Sequence, residues 1–382
     1  MRLRTLPVFF AFFVMGFVDA VGTLVGFARE EYQLSGFMAG LLPFFGFIAF
    51  ALFSVPGGVL MDKKGKKSLM LLSLTIVLGG EALPAMTTGY RMLVAAIFLI
   101  GIGMTLLQVA GNPIMRDVSE EGRFARNLTF AQFIKGLGSI AGPAVAIALV
   151  SRGLPWNSIF TVFGAVVAVT LVAVTFLRID ERRGEDKPAA SIRSSFALLG
   201  NGYVFTMILG LFFYVGAEVG VNSWIATLLN QRFRFDLGSL ATGGIAFFFV
   251  ALSLGRLIGS AVLSFMSARR FLVVTSALSV LGTLGIMLGS KEVALASIFL
   301  TGLGFGNIFP LVFSLLIDAM PERSAELSGL LCMAIAGGAV MPLVMGAVND
   351  AFSSATAAMA VPFVSCLYIL ALSLRSPHEA NA

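Results

Sequence analysis

Lys135 stands near the middle of an apolar stretch, residues 128–150, that is otherwise built to lie in oil. The stretch is long enough to cross a hydrocarbon core of about 30 Å. An ammonium at that depth costs on the order of 2.5 to 3.5 kcal/mol, so it should face a partner or water. Three readings are open. Lys135 pairs with Asp19, the acid of the first apolar stretch; it receives an anionic group of a bound solute; or it snorkels to the nearer interface, which Arg126 and Asn127 mark about two turns away. Burial raises and a nearby cation lowers the pKa of such an acid, so the sequence alone does not place its titration.

Other polar side chains sit in similar surroundings. Glu218 and Asn222 lie one turn apart in a run where an acid again needs water or a partner, and both are read as facing a cavity. Asn112 and Asn307 occupy related places in two runs, and each either lines that cavity or bonds across helices. Gln108 and Gln132 add amides suited to hydroxyl groups. Trp224 stacks on a ring face or belongs to the aromatic belt. Arg256 is read as a gate residue that pairs with an Asp62-like acid or a helix end. Glu81 is either an interface residue or functional. His378, the only histidine, lies in a polar tail, which rules out a histidine proton relay.

These residues must be held by helices. The chain is 58% hydrophobic and 12% charged over 382 residues, with a mean hydropathy of +0.96, too apolar for a soluble fold of this length. Apolar runs predict twelve spans: 7–27, 37–60, 69–88, 92–113, 128–150, 157–177, 203–229, 239–264, 271–289, 293–317, 326–348 and 356–374. The basic opening followed by Leu6 to Phe17 resembles a signal peptide, but no small-residue cleavage site follows, so it is kept as the first span. With the N-terminus inside, 18 of the 26 Lys and Arg residues fall in cytoplasmic segments and 6 outside, with Lys135 and Arg256 left in spans. That alternation predicts both termini in the cytoplasm. The net charge of +6 is therefore a topology signal and not a nucleic-acid footprint.

The polar stretch after Arg178 predicts a cytoplasmic linker, residues 178–202, joining six-helix halves 1–177 and 203–382. The halves read as repeats. Spans four and ten both run from small residues through Asn and Pro to acids, and spans one and seven carry their acids in MGFVD and VGAEV. Such repeats predict alternating access around a site near the midplane. Cys332 and Cys366 fall in different spans with no metal spacing, so neither a disulfide nor a metal site is expected. The spans carry no His-x-x-x-His, Gly-x-Ser-x-Gly or Asp pair, which argues against an intramembrane enzyme, and no cofactor is expected. A channel is disfavoured because a two-fold repeat suits rocking halves.

GVLMDKKGKKS, Gly58 to Ser68, matches the Gly-x-x-x-Asp-basic-x-Gly-basic-basic signature of the major facilitator superfamily. Physically, Gly58 allows helices to approach, Asp62 can meet a helix N-terminus or an arginine, and Lys63, Lys66 and Lys67 can hold the loop to an anionic leaflet. QVAGNP (108–113), AQFIKGLGSIAGP (131–143), YVGAEVGVNSW (214–224), GRLIGS (255–260) and the run 309–346 then resemble the fucose:proton symporter family, which also holds glucose/galactose permeases.

The resemblance implies a monomeric inner-membrane protein of a bacterium that imports a monosaccharide with protons. It also implies departures. Proton coupling in the fucose permeases relies on an Asp in span one and a Glu in span four. Here Gly22 stands at the first position, with Asp19 one turn earlier, and Gln108 at the second. Gln132 matches a sugar-contacting glutamine, whereas the asparagine one turn later is replaced by Lys135. Glu218 resembles the form seen in the glucose/galactose branch. The expectation is a proton-coupled symporter of a monosaccharide or close derivative, with Asp19 and Glu218 as coupling acids. Its rivals are transport of an organic anion held by Lys135, and drug or lipid export, which the many Phe residues permit and the amides oppose.

Overall fold

The computed structural model describes residues 6–17, 21–86, 89–177, 190–235 and 237–375. Asp19, His378 and the first part of the predicted linker, residues 178–189, lie outside them. In chain order the helices are α1 (Leu6–Met15), α2 (Val21–Glu31), α3 (Gly36–Lys64), α4 (Lys66–Met86), α5 (Tyr90–Asp117), α6 (Phe124–Ser151), α7 (Ser158–Thr175) and the short α8 (Ile192–Ala197). There follow α9 (Gly202–Phe233), α10 (Leu237–Val262), α11 (Ala268–Leu288), α12 (Lys291–Ala319), α13 (Ser324–Met333), α14 (Gly337–Phe352), α15 (Ala355–Ala358) and α16 (Ala360–Leu374). Among the described residues the structure is helical, with no strand.

Among the described residues ten segments are long and apolar enough to cross a bilayer, and two shorter apolar helices, Leu6–Met15 and Phe247–Val262, fall where the first and eighth spans are predicted. Several helices outlast their apolar runs. The span predicted over 92–113 is the helix Tyr90–Asp117, because the hydrogen-bond ladder continues past the last lipophilic residue until a cap ends it. The eleventh span is not one uniform helix: a 3-10 turn at Ala334–Ala336 separates α13 from α14. Just beyond the turn a Cβ at Gly337 would clash with the Phe212 carbonyl of α9, so only glycine admits this approach.

Packing divides the chain into two compact units. Unit 1 holds residues 1–121, 134–195 and 322–333; unit 2 holds 122–133, 196–321 and 334–382. Helix α6 thus contributes its first turns to unit 2 and the rest, with Lys135, to unit 1. Within unit 1, α1 crosses α6 at backbone distance: a Cβ on Gly16 would clash with the Lys135 carbonyl, and one on Gly138 with the Phe13 carbonyl. Phe17 stacks on Phe163 of α7 with ring centroids 4.0 Å apart. Within unit 2, α10 and α12 cross through facing glycines. A Cβ on Gly255 would lie 2.6 Å from the Leu303 carbonyl oxygen, and one on Gly306 2.5 Å from that of Leu252. Small residues are what let helix backbones meet where lipid offers no hydrophobic drive.

Candidate functional site

The signature loop shows how unit 1 is tied at one end. Gly65 takes φ +90°, a conformation that side chains resist, and so α3 ends and α4 begins across a single residue. Asp62 accepts from the amide of Ala190, within the predicted linker, at 2.9 Å, and Ser194 of α8 donates to Glu326 of α13 at 2.5 Å. Lys66 pairs with Asp117 at the end of α5 (2.5 Å), and Lys67 donates to the Thr175 carbonyl that ends α7 (2.7 Å). The two lysines brace helix C-termini, where the backbone dipole favours a cation. Lys63 is exposed.

Deeper in unit 1, α5 is buried without a break from Gly103 to Met115. Gln108 (3% exposed) and Asn112 (0%) share one face of it, four residues apart. The Lys135 ammonium donates to Gln108 Oε1 at 3.4 Å, and Ser139 donates back to the Lys135 carbonyl at 3.2 Å. Asp19, the other partner expected for Lys135, lies outside the described residues. Ser328 of α13 donates to the Val109 carbonyl at 2.7 Å, which fixes the helix turn that carries Gln108.

In unit 2, Tyr214, Glu218 and Asn222 recur every four residues on α9, and Gly216 and Gly220 on another face pack against Met341 and Met345 of α14. Arg256 of α10 reaches three helices at once. Its Nη2 lies 3.8 Å from Glu218 Oε1, its Nε donates to the Gly306 carbonyl of α12 (3.3 Å), and its Nη1 donates to the Gln132 carbonyl of α6 (3.2 Å). The guanidinium is the one side chain with enough fixed donors for this arrangement. Arg256 was expected to pair with an Asp62-like acid or a helix end; its partners are instead a carboxylate and two carbonyls inside the spans.

Tyr214 is wholly buried one helical turn before Glu218, and its hydroxyl makes no hydrogen bond among the described residues. Sequence reasoning missed it; the four-residue step to Glu218 was the available signal. Asn307 resolves toward cross-helix bonding. Its amide donates to the Gly255 carbonyl (3.0 Å) and its Oδ1 faces Gly259, so it staples α12 to α10. Asn222 keeps a buried Oδ1 without a hydrogen-bond partner. Trp224 packs against Gly346 of α14. Among the described residues no cluster could hold a metal ion.

A model of the Major Facilitator Superfamily matches residues 8–339. The chain belongs to that superfamily. This transporter is 27% identical over 372 residues to a glucose/galactose transporter of Brucella abortus, covering 94% of this chain and 90% of that one. It is 21% identical over 366 residues to the L-fucose-proton symporter of Escherichia coli, covering 87% and 84%. Among solved structures, the crystal structure of FucP in the outward conformation superposes with a TM-score of 0.85 at 20% identity, over 97% of this chain and 98% of that one. The fold of this transporter is the superfamily fold, and its relatives are transporters rather than enzymes.

Proposed function

We propose that this protein is an inner-membrane secondary transporter, monomeric and with both termini cytoplasmic, that takes up a monosaccharide or close derivative with a proton. Halves 1–177 and 203–382 alternate access to the substrate. The similarity to sugar transporters and to a fucose-proton symporter supports this reading, and one observation carries the coupling: a carboxylate, Glu218, facing a guanidinium that also holds two other helices. A proton on Glu218 cancels its charge and leaves Arg256 held by carbonyls alone. That changes how firmly α9 is tied to α10, which is the kind of local charge event that biases a two-state element. One proton moving with an uncharged solute down 100 mV supplies about 2.3 kcal/mol, enough to sustain roughly a fifty-fold solute gradient. Gln108, Asn112, Gln132, Asn222 and Trp224 are assigned to the substrate's hydroxyls and ring face, and Asp19 remains a second coupling acid. In proteoliposomes with an inward acid gradient, Glu218→Gln should keep sugar counterflow and lose acid-driven accumulation. Unchanged accumulation would remove Glu218 from the coupling role.

A further inference from the structure

We propose that the substrate carries a carboxylate, a hexuronate or aldonate rather than a neutral sugar, and that Lys135 receives it; this rests on the sugar-transport reading above. Two independent rulers place the lysine deep. Along α6 it lies nine residues beyond Arg126, about 13 Å at 1.5 Å per residue, and its partner Gln108 lies eight residues before Arg116 on α5, about 12 Å. Both put the ammonium near the middle of a core about 30 Å thick, farther from the interface than a lysine side chain spans. Snorkelling therefore does not account for it.

Among the described residues its hydrogen bonding does not neutralise it. An ammonium carries three donors. Among the described residues Lys135 makes one long bond, at 3.4 Å, to an amide oxygen that bears no formal charge. The other buried cation of the spans, Arg256, is matched by Glu218 and two carbonyls. On this half-buried cation, the two donors left unpaired among the described residues suit the two oxygens of a carboxylate, and a charge-assisted bond is about twice as strong as one to a neutral hydroxyl. Gln108 stays available beside it for a hydroxyl on the adjoining carbon.

The charge balance gives a test that needs no variant. A neutral sugar moving with one proton carries net charge, whereas a uronate moving with one proton carries none. Purified protein in liposomes would be offered labelled D-galacturonate, D-glucuronate, D-galactose and D-glucose, each with and without an inside-negative potassium diffusion potential. The expected result is uptake of a uronate at least ten-fold faster than of the parent hexose, with no response to the potential, and a ten-fold weaker uronate affinity in Lys135→Asn and Lys135→Gln. Hexose uptake that the potential accelerates, unaltered in both variants, would overturn the carboxylate and leave sugar transport standing. Uptake of neither class by protein that superfamily inhibitors or thermal shifts show to be folded would overturn both.

Discussion

Arg256 donates to the carbonyl of Gln132 at 3.2 Å, a side chain of α10 holding the backbone of α6, 124 residues earlier in the chain. Any side chain at position 132 presents that carbonyl, so the bond depends on the arginine and on the path of α6 alone. Lysine cannot imitate it, since a single ammonium does not reach Glu218, Gly306 and Gln132 together. Arg256→Lys is expected to lower the transport rate at least ten-fold and to reduce thermal stability. Arg256→Ala, which leaves Glu218 without its cation, should cost about 3 to 5 kcal/mol. Wild-type turnover and melting in the lysine variant would show that the three-way bridge is dispensable.

The crossing of α1 and α6 makes an equally sharp prediction. A Cβ on Gly16 or Gly138 meets backbone that cannot swing away, whereas one on Gly40 or Gly26 meets nothing within 4 Å. Gly138→Ala and Gly16→Ala should each cost about 1 to 3 kcal/mol or more through overpacking. Gly40→Ala and Gly26→Ala should be neutral or stabilising by roughly 0.4 to 1 kcal/mol. Melting of the four detergent-solubilised variants, measured side by side, checks the contrast; equal melting points would refute it.

Glu81 of α4 is 3% exposed, lies against Gly164 of α7, and has a buried Oε2 without a hydrogen-bond partner. Leaving a buried polar group unsatisfied costs about 1 to 3 kcal/mol. Glu81→Gln should therefore keep wild-type uptake and melt at the same temperature or a few degrees higher. A folded variant with lost uptake would instead assign the acid to transport.

Much of this architecture is legible from residues alone. Runs of apolar side chains mark the spans because lipid forces every backbone group into a helix. Lys135, Gln108 and Glu218 stand out because charge and amides are costly at that depth. Other features carry no such mark. The partners of Arg256 include two carbonyls, which every residue possesses. Tyr214 looks like an ordinary aromatic until the fold buries its hydroxyl one helical turn from Glu218. The roles of Lys66 and Lys67 depend on where α5 and α7 end, and Asn307 declared itself a staple only once Gly255 and Gly259 lay opposite. The break at Ala334 follows from a contact with Phe212 more than a hundred residues away.

Because glycines line the crossing of α10 and α12, the two backbones touch, and Asn307 and Arg256 bond across the same crossing. The pair transmits force as a stiff lever. A nudge to the guanidinium fixed at that crossing reaches the Gly306 carbonyl undamped, and a proton arriving at Glu218 acts on a rigid arm rather than a soft joint.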